Sequence, residues 1–443
     1  MITVDSHLAL TPFERYMICD DRGDAYPMSI PIQWLIQGRP NRERFSEAFR
    51  QAIALHPLLN CLAQRGAWRH SASALCEVAY FHSGQHPTSA DRSVSPRTGP
   101  TFRCNVIENG EHSIIEVVGH HAVIDGVSIL EVCGDLFALY AIAMGTLDAA
   151  KLRLPHNDYL RTRNILDREI PKPIGQSAGV SAINRETLRF FTRRAETIAG
   201  DIGYSTSVSG NSVGWCMVGE QLDQACSERM HAAAVAMGAT INDWAIAALL
   251  RVLAGWNDQH RPRIGSGWLI ANMPVLMRPR KAIRCSAANM IGYAFLGRQR
   301  CGLNDWKETL SSIAAESRYI QHWKTAGMFL DGLAMASHVP GGVYLSTRIA
   351  RPASCIMSHV GDPLRRFRTK LPMDAEGFAI AGDITVRQLL GAAPVRPGTN
   401  VAASINSLGS RLNLSIRVVP RVFSATGAEQ LCRLWKEEMV CHV

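Results

Sequence analysis

One heptapeptide constrains this chain more than anything else in it: His120-His121-Ala122-Val123-Ile124-Asp125-Gly126. Before it, Ser113 to Val118 is an apolar run of strand length, followed at once by Gly119. After it, Ile129, Leu130, Cys133, Leu136, Phe137 and Tyr140 recur at helical spacing as far as Gly145. The histidines therefore sit on a strand-to-helix connection, where a loop can be shaped while its flanks hold it rigid. With 15 His and 35 Gly in 443 residues, H-H-x-x-x-D-G arises by chance in roughly two such chains per thousand. The pattern is worth weighing as chemistry.

Three readings of it compete. Metal ligation by both histidines is poor geometry, because neighbours point to opposite faces of a strand and sit about 100° apart on a helix. The i, i+4 pairing of His121 with Asp125 needs a helical segment, which Gly126 and the preceding strand oppose. Structural histidines satisfied by backbone partners are the bland reading. The third makes one His a general base and Asp125 a residue that shapes the loop. Neutral imidazole suits removal of a proton from an alcohol or amine near neutral pH. This reading carries the weight, and no metal is expected.

At roughly 150 residues per domain, 443 residues leave room for two or three domains. A hydrophobic share of 47% supplies sizeable cores and argues against disorder. Lys+Arg 47 against Asp+Glu 38, net +9, favours anionic partners without choosing among them. Nucleic acid has no supporting motif beyond that charge. A membrane span is not expected: Ile129 to Met144 and Ile241 to Trp256 are short and carry charges. The start MITVDSHLALTPFERYM lacks the basic and apolar regions of a signal peptide. The 12 cysteines include no C-x-x-C pair, so reduced thiols in a cytoplasm are the expectation.

Two mixed lobes are the economical description. Arg42 to Leu55 is a helix ended by His56-Pro57. Between Arg153 and Asn184, proline, glycine and polar residues interrupt any period, which suggests a linker, drawn at 166–185 between lobes 1–165 and 186–443. Then Cys226 to Met237 is a helix closed by Gly238, and Thr240 to Asp243 resembles a capping box opening the next, Asp243 to Leu253. Leu303 to about Lys324 is a long helix; Ala353 to Met357 and Phe378 to Val386 are strands. Leu412, Leu414, Ile416 and Val418 alternate onto one strand face, and Ser424 caps a closing helix.

At these residues the sequence resembles the CoA-dependent acyltransferase superfamily, which holds chloramphenicol acetyltransferase, condensation domains, wax ester synthases and polyketide-associated acyltransferases. HHAVIDG is similar to its HHxxxDG signature. Weaker similarities run along the chain in LTPFERY, ALHPLLN, GATINDWAIAAL, ANMPVLMRPR, SHVGDP and SLGSRLNLSIRVVP. The resemblance implies an α/β fold of two chloramphenicol acetyltransferase-like lobes in a pseudo-dimer, with strands of the second crossing to the first. A central tunnel would admit an acyl thioester from one face and an acceptor from the other.

It further implies that His121 is the base, that His120 supports the loop, and that Asp125 is structural and paired with an arginine. Gly126 would let the backbone turn close to the substrate. Asn60 stands where relatives commonly carry that arginine, leaving Arg15 or Arg65 as candidates. The implied activity moves an acyl group from acyl-CoA or a phosphopantetheine-bound carrier to a hydroxyl or amine, with no resident cofactor. An amide-forming condensation enzyme and a non-catalytic acyl-binding or carrier-binding relative are the alternatives. Asn242, with Asp243, and Ser358, with His359, are candidates at the tunnel; helix capping and a polar loop are their bland readings. The basic run Arg365 to Lys370 is a solvated face, or a surface for CoA phosphates, a carrier region or acidic lipid.

Overall fold

The computed structural model describes residues 8–164, 176–202, 216–260, 267–278, 284–349, 353–364 and 371–443, the side chains of 176–183 excepted. The basic run Arg365 to Lys370 lies outside the described residues, as does the first half of the expected linker. From Gln176 to Thr192 the chain is a helix, so the second half of that stretch is regular where composition suggested an irregular connection.

Two six-stranded sheets dominate. The first runs in the order Ile380–Ala381, Ile384–Gly391, Ser29–Gln37, His112–His120, Phe102–Asn109, Val78–Phe81. The second runs Ile291–Gln299, Trp268–Leu276, Cys355–Gly361, Val401–Leu408, Arg411–Val418, Cys216–Gln221. The first sheet is thus completed by a strand from late in the chain: Ile384–Gly391 lies antiparallel to Ser29–Gln37. The crossing strand is tied back to the second sheet, since Asn406 Nδ2 donates to Leu389 O at 3.0 Å and Gly391 N donates to Ser415 Oγ at 3.2 Å. Strands are thereby shared between the lobes.

Each sheet buries one face under helices, and each lobe has its own core. Arg42–Ala54 and Gly126–Ala143 cover the first sheet, bringing Phe45, Phe49, Phe137 and Tyr140 onto Trp34 and Phe102. Gly126–Ala143 has mean hydropathy 1.6 and the length to cross a membrane, yet most of it is buried inside the protein. Its apolar surface is spent on the core. Ile241–His260 and Ala425–Val440 cover the second sheet, with Trp244, Trp256 and Trp435 fully enclosed.

Two strand expectations change in three dimensions. Phe378 to Val386 is a hairpin, because Gly382 takes φ +63° and turns the chain tightly against Met144 and Tyr140. In Arg411–Val418 the expected apolar face packs into the second core, but Asn413, Ser415 and Arg417 on the other face are buried too. That face meets the first lobe: Arg417 Nη1 donates to Ser29 O at 2.6 Å. Burial pulls the Arg417 guanidinium down to about 10.

Candidate active site

The first sheet delivers the motif. Ser29 pairs with His120, and His121 N donates to Met28 O at 2.8 Å, so both histidines are anchored to the neighbouring strand. Val123 N donating to His120 O at 2.9 Å then turns the chain back over the strand it has left. This return needs Gly119, where a Cβ would come within 2.6 Å of the Ile124 side chain. Asp125 stops the turn and starts the helix: its carboxylate accepts from Ser128 N at 2.7 Å in an N-cap.

His121 is 4% exposed, and its Nδ1 lies 3.0 Å from Ile124 O. A carbonyl oxygen can only accept, so Nδ1 carries the proton and Nε2 is left with its lone pair. Burial lowers its pKa below the usual 6.5, opposed by the Ile124 hydrogen bond and Asp125 and assisted by His120. At neutral pH this is an uncharged imidazole with one basic nitrogen. The backbone on its other side is gripped by the second lobe, where Asn289 Nδ2 donates to His121 O at 2.6 Å.

His120 is bonded differently. Ala122 N donates to its Nδ1 at 3.1 Å, which makes Nδ1 the acceptor and directs Nε2–H to Asp21 Oδ2 at 3.2 Å. Both ring nitrogens are committed within the protein, leaving no lone pair for proton transfer. Burial alone would raise the Asp21 carboxyl, but the His120 contact and the backbone N–H of Met28 and Gly23 bring it below its usual value. We expect His120→Ala to keep more turnover than His121→Ala, because losing an orienting contact is partial while losing a proton acceptor, the role proposed below for His121, is not. Initial rates for the two variants at equal substrate check this.

Asp125 is fully buried and paired with Arg278, whose Nη2 lies 3.1 Å from both carboxylate oxygens. Its Oδ2 also accepts from Met290 N at 2.9 Å. Burial pushes this carboxyl up, and Arg278 with the Ser128 and Met290 N–H groups more than compensates, so it is held below the ordinary value. Ser128 completes the knot, donating to Ala288 O at 2.7 Å and accepting from Ala288 N at 3.2 Å. Asp125 thus joins the first lobe's signature to the segment before Ile291–Gln299 of the second.

Neither Arg15 nor Arg65 is the partner of Asp125. Arg278 lies 153 positions away, just past the strand Trp268–Leu276, and only the sharing of sheets between lobes brings it near. Arg278, Asn289, Asp21 and the Met290 N–H were not singled out in the sequence, since no local spacing connects them to the motif.

The remaining candidates separate. Gly126 has no positive φ; it opens the helix, and a Cβ there would sit 3.4 Å from Val360 of Cys355–Gly361. Ser358 lies on that same strand two residues before Val360, opposite Ser404, with a register shift between His359 and Gly361. Asn242 is held elsewhere, its Nδ2 donating to Met273 Sδ at 3.2 Å. Among the described residues no hydrogen bond connects it to the motif. Asp243 caps its own helix, accepting from Thr240 N at 2.9 Å and Thr240 Oγ1 at 2.8 Å.

The neutral His121 also fixes a pH expectation. With His121 as the proton acceptor, the acid limb of kcat/KM should lie below pH 6.5, since the ring loses its lone pair only when its lowered pKa is crossed. Folding follows the same sign: the unfolded His binds the proton first, so stability from burying neutral His121 is lost as pH falls from about 6.5. A limb centred above 6.5 that disappears in His121→Ala would contradict this.

Two six-stranded sheets, the first completed by a strand from late in the chain, with a histidine loop clamped between lobes, match the two-lobed condensation-domain fold of chloramphenicol acetyltransferase type. In particular, the chain is similar to the SgcC5 protein of Streptomyces globisporus, at 15% identity over 97% of this chain and 98% of that one, TM-score 0.64. It is likewise similar to the first condensation domain of the calcium-dependent antibiotic synthetase (13% identity, 99% and 96% covered, TM-score 0.65). The epimerization domain from the third module of tyrocidine synthetase B matches too (13% identity, 98% and 97% covered, TM-score 0.60). At such identities the likeness is one of fold, and the fold hosts more than one chemistry. No family model and no curated protein matches the sequence.

Proposed function

We propose that the chain is an acyltransferase that moves an acyl group from a thioester, acyl-CoA or carrier-bound, to a hydroxyl or amine acceptor. The observation that carries the reading is the state of His121: neutral, Nδ1–H fixed on Ile124 O, Nε2 basic, and clamped between the lobes. His121 Nε2 takes the proton from the acceptor as its oxygen or nitrogen attacks the thioester carbonyl. The tetrahedral intermediate collapses, the C–S bond breaks, and the protonated imidazole returns its proton to the departing thiolate. His120 and Asp125 are positioning residues that hold the loop. In this reading donor and acceptor meet in a tunnel between the lobes, with Ser358 and Gly126 on the wall, and no metal or resident cofactor takes part.

Support for the thioester also comes from a related fold: the starter condensation domain of rhizomide synthetase was solved with C8-CoA and a leucine thioester. A cytoplasmic location, a carrier-protein donor and peripheral contact with acidic lipid belong to the same proposal. The test is incubation with acyl-CoAs of several chain lengths and mixed alcohols and amines, read by mass spectrometry of products and released thiol. Ester or amide formation with thiol release is expected. No thioester consumption with any donor, carrier-bound ones included, would leave a binding module in its place.

A further inference from the structure

In the second lobe a cavity of about 530 Å³ lies between the helix Gln176–Thr192 with the residues just after it, the edge strand Ile291–Gln299 and the helix Trp306–Trp323. That is the size range of small-molecule sites. Arg185, Arg189 and Arg193 are spaced i, i+4, i+8 and line one wall; Arg298 faces them from the edge strand. Glu316 is the one carboxylate of the lining and Glu186 pairs with Arg185 and Arg189 beside it, so four guanidiniums against these two carboxylates leave two positive charges.

The two glutamates are already committed. Arg189 pairs with Glu316 at 2.6 Å and Glu186 at 3.0 Å, and Arg298 also binds Glu316. Arg193 is held instead by an aromatic ring, stacked at 4.2 Å over Trp268, while Arg185 stacks at 4.2 Å over Tyr319 and lies 3.7 Å from Glu186. Among the described residues no carboxylate lies within ion-pair distance of Arg193. Half-buried over the Gly297 backbone, it is pulled down by burial and by Arg189 and Arg298, against the opposing pull of Glu316 and Glu186. A guanidinium stacked on a ring beside Arg189 and Arg298, with no carboxylate in ion-pair contact among the described residues, is positioned to receive an anion.

We infer that this cavity binds a phosphate-bearing small molecule. A phosphate monoester carries about −1.5 to −2 charges at pH 7, which matches the two uncompensated positive charges. Its three oxygens engage several planar guanidinium forks at once, whereas one bidentate arginine saturates a carboxylate. The inference is independent of the reading of the His121 loop, which lies on the other sheet.

Calorimetric titration with inorganic pyrophosphate near physiological ionic strength tests it, because a diffuse surface charge is screened there. Wild type should bind, and Arg193→Gln and Arg185→Gln should each weaken binding about tenfold or more. Should Arg193→Gln fail to fold, the more exposed Arg185 carries the comparison. Arg50→Gln, on a distant exposed helix face, should leave binding unchanged. Titration with 3′,5′-ADP separates the sources: binding lost in the same variants marks a nucleotide phosphate, and pyrophosphate binding alone marks a free phosphate compound. No pyrophosphate or 3′,5′-ADP binding by wild type overturns the site. So does equal weakening by Arg50→Gln, or citrate binding as tightly as pyrophosphate.

Discussion

His121→Ala is expected to cut turnover by about 10²–10⁴ while the melting temperature holds. The loss is confined to chemistry because the loop does not depend on the ring. His121 N on Met28 O and Asn289 on His121 O are backbone-anchored bonds that alanine keeps. The ring itself forms one hydrogen bond, to Ile124 O. Product formation and thermal unfolding measured on the same preparation check both halves. Near wild-type turnover ends the assignment of His121 as base, and activity abolished by a chelator returns the loop to metal ligation.

Asp125→Ala should fail in the opposite sense, losing about 3–5 kcal/mol of stability along with activity. Alanine strands the Arg278 guanidinium and leaves the N–H groups of Ser128 and Met290 without acceptors at the junction of the lobes. Removing one member of a buried pair costs more than removing both, because the survivor keeps its desolvation penalty. Asp125→Ala combined with Arg278→Met should therefore be more stable than Asp125→Ala alone, and denaturant unfolding of the singles and the double decides it. The pH dependence has a fixed sign. The folded carboxyl titrates below its unfolded value near 3.9, so its contribution is present above that pH and lost as pH falls toward the folded pKa. If Asp125→Ala unfolds at the wild-type midpoint, the clamp between the lobes is not as described.

Much of the local structure was legible in the chain. Arg42–Ala54, Gly126–Ala143 and Arg411–Val418 announce themselves by apolar period, and Ser424 caps the helix it precedes. The strand-to-helix placement of the histidines, the candidate base and the need for an arginine beside Asp125 were also within reach, the last through resemblance. These are properties of neighbours in sequence, or of a motif seven residues long, where steric period and side-chain chemistry act directly.

The rest belongs to the tertiary structure. Which arginine meets Asp125 and why Asn413, Ser415 and Arg417 are buried follow from the packing of one lobe against the other. That packing brings Arg278, Asn289 and Met290 onto a loop some 150 to 170 residues earlier. No period or spacing encodes such a meeting, because a partner at that distance along the chain is selected only by the packing free energy of the whole core. The sequence by itself determined those helices and strands and the place of the histidine loop; the packing of two lobes decided what that loop touches.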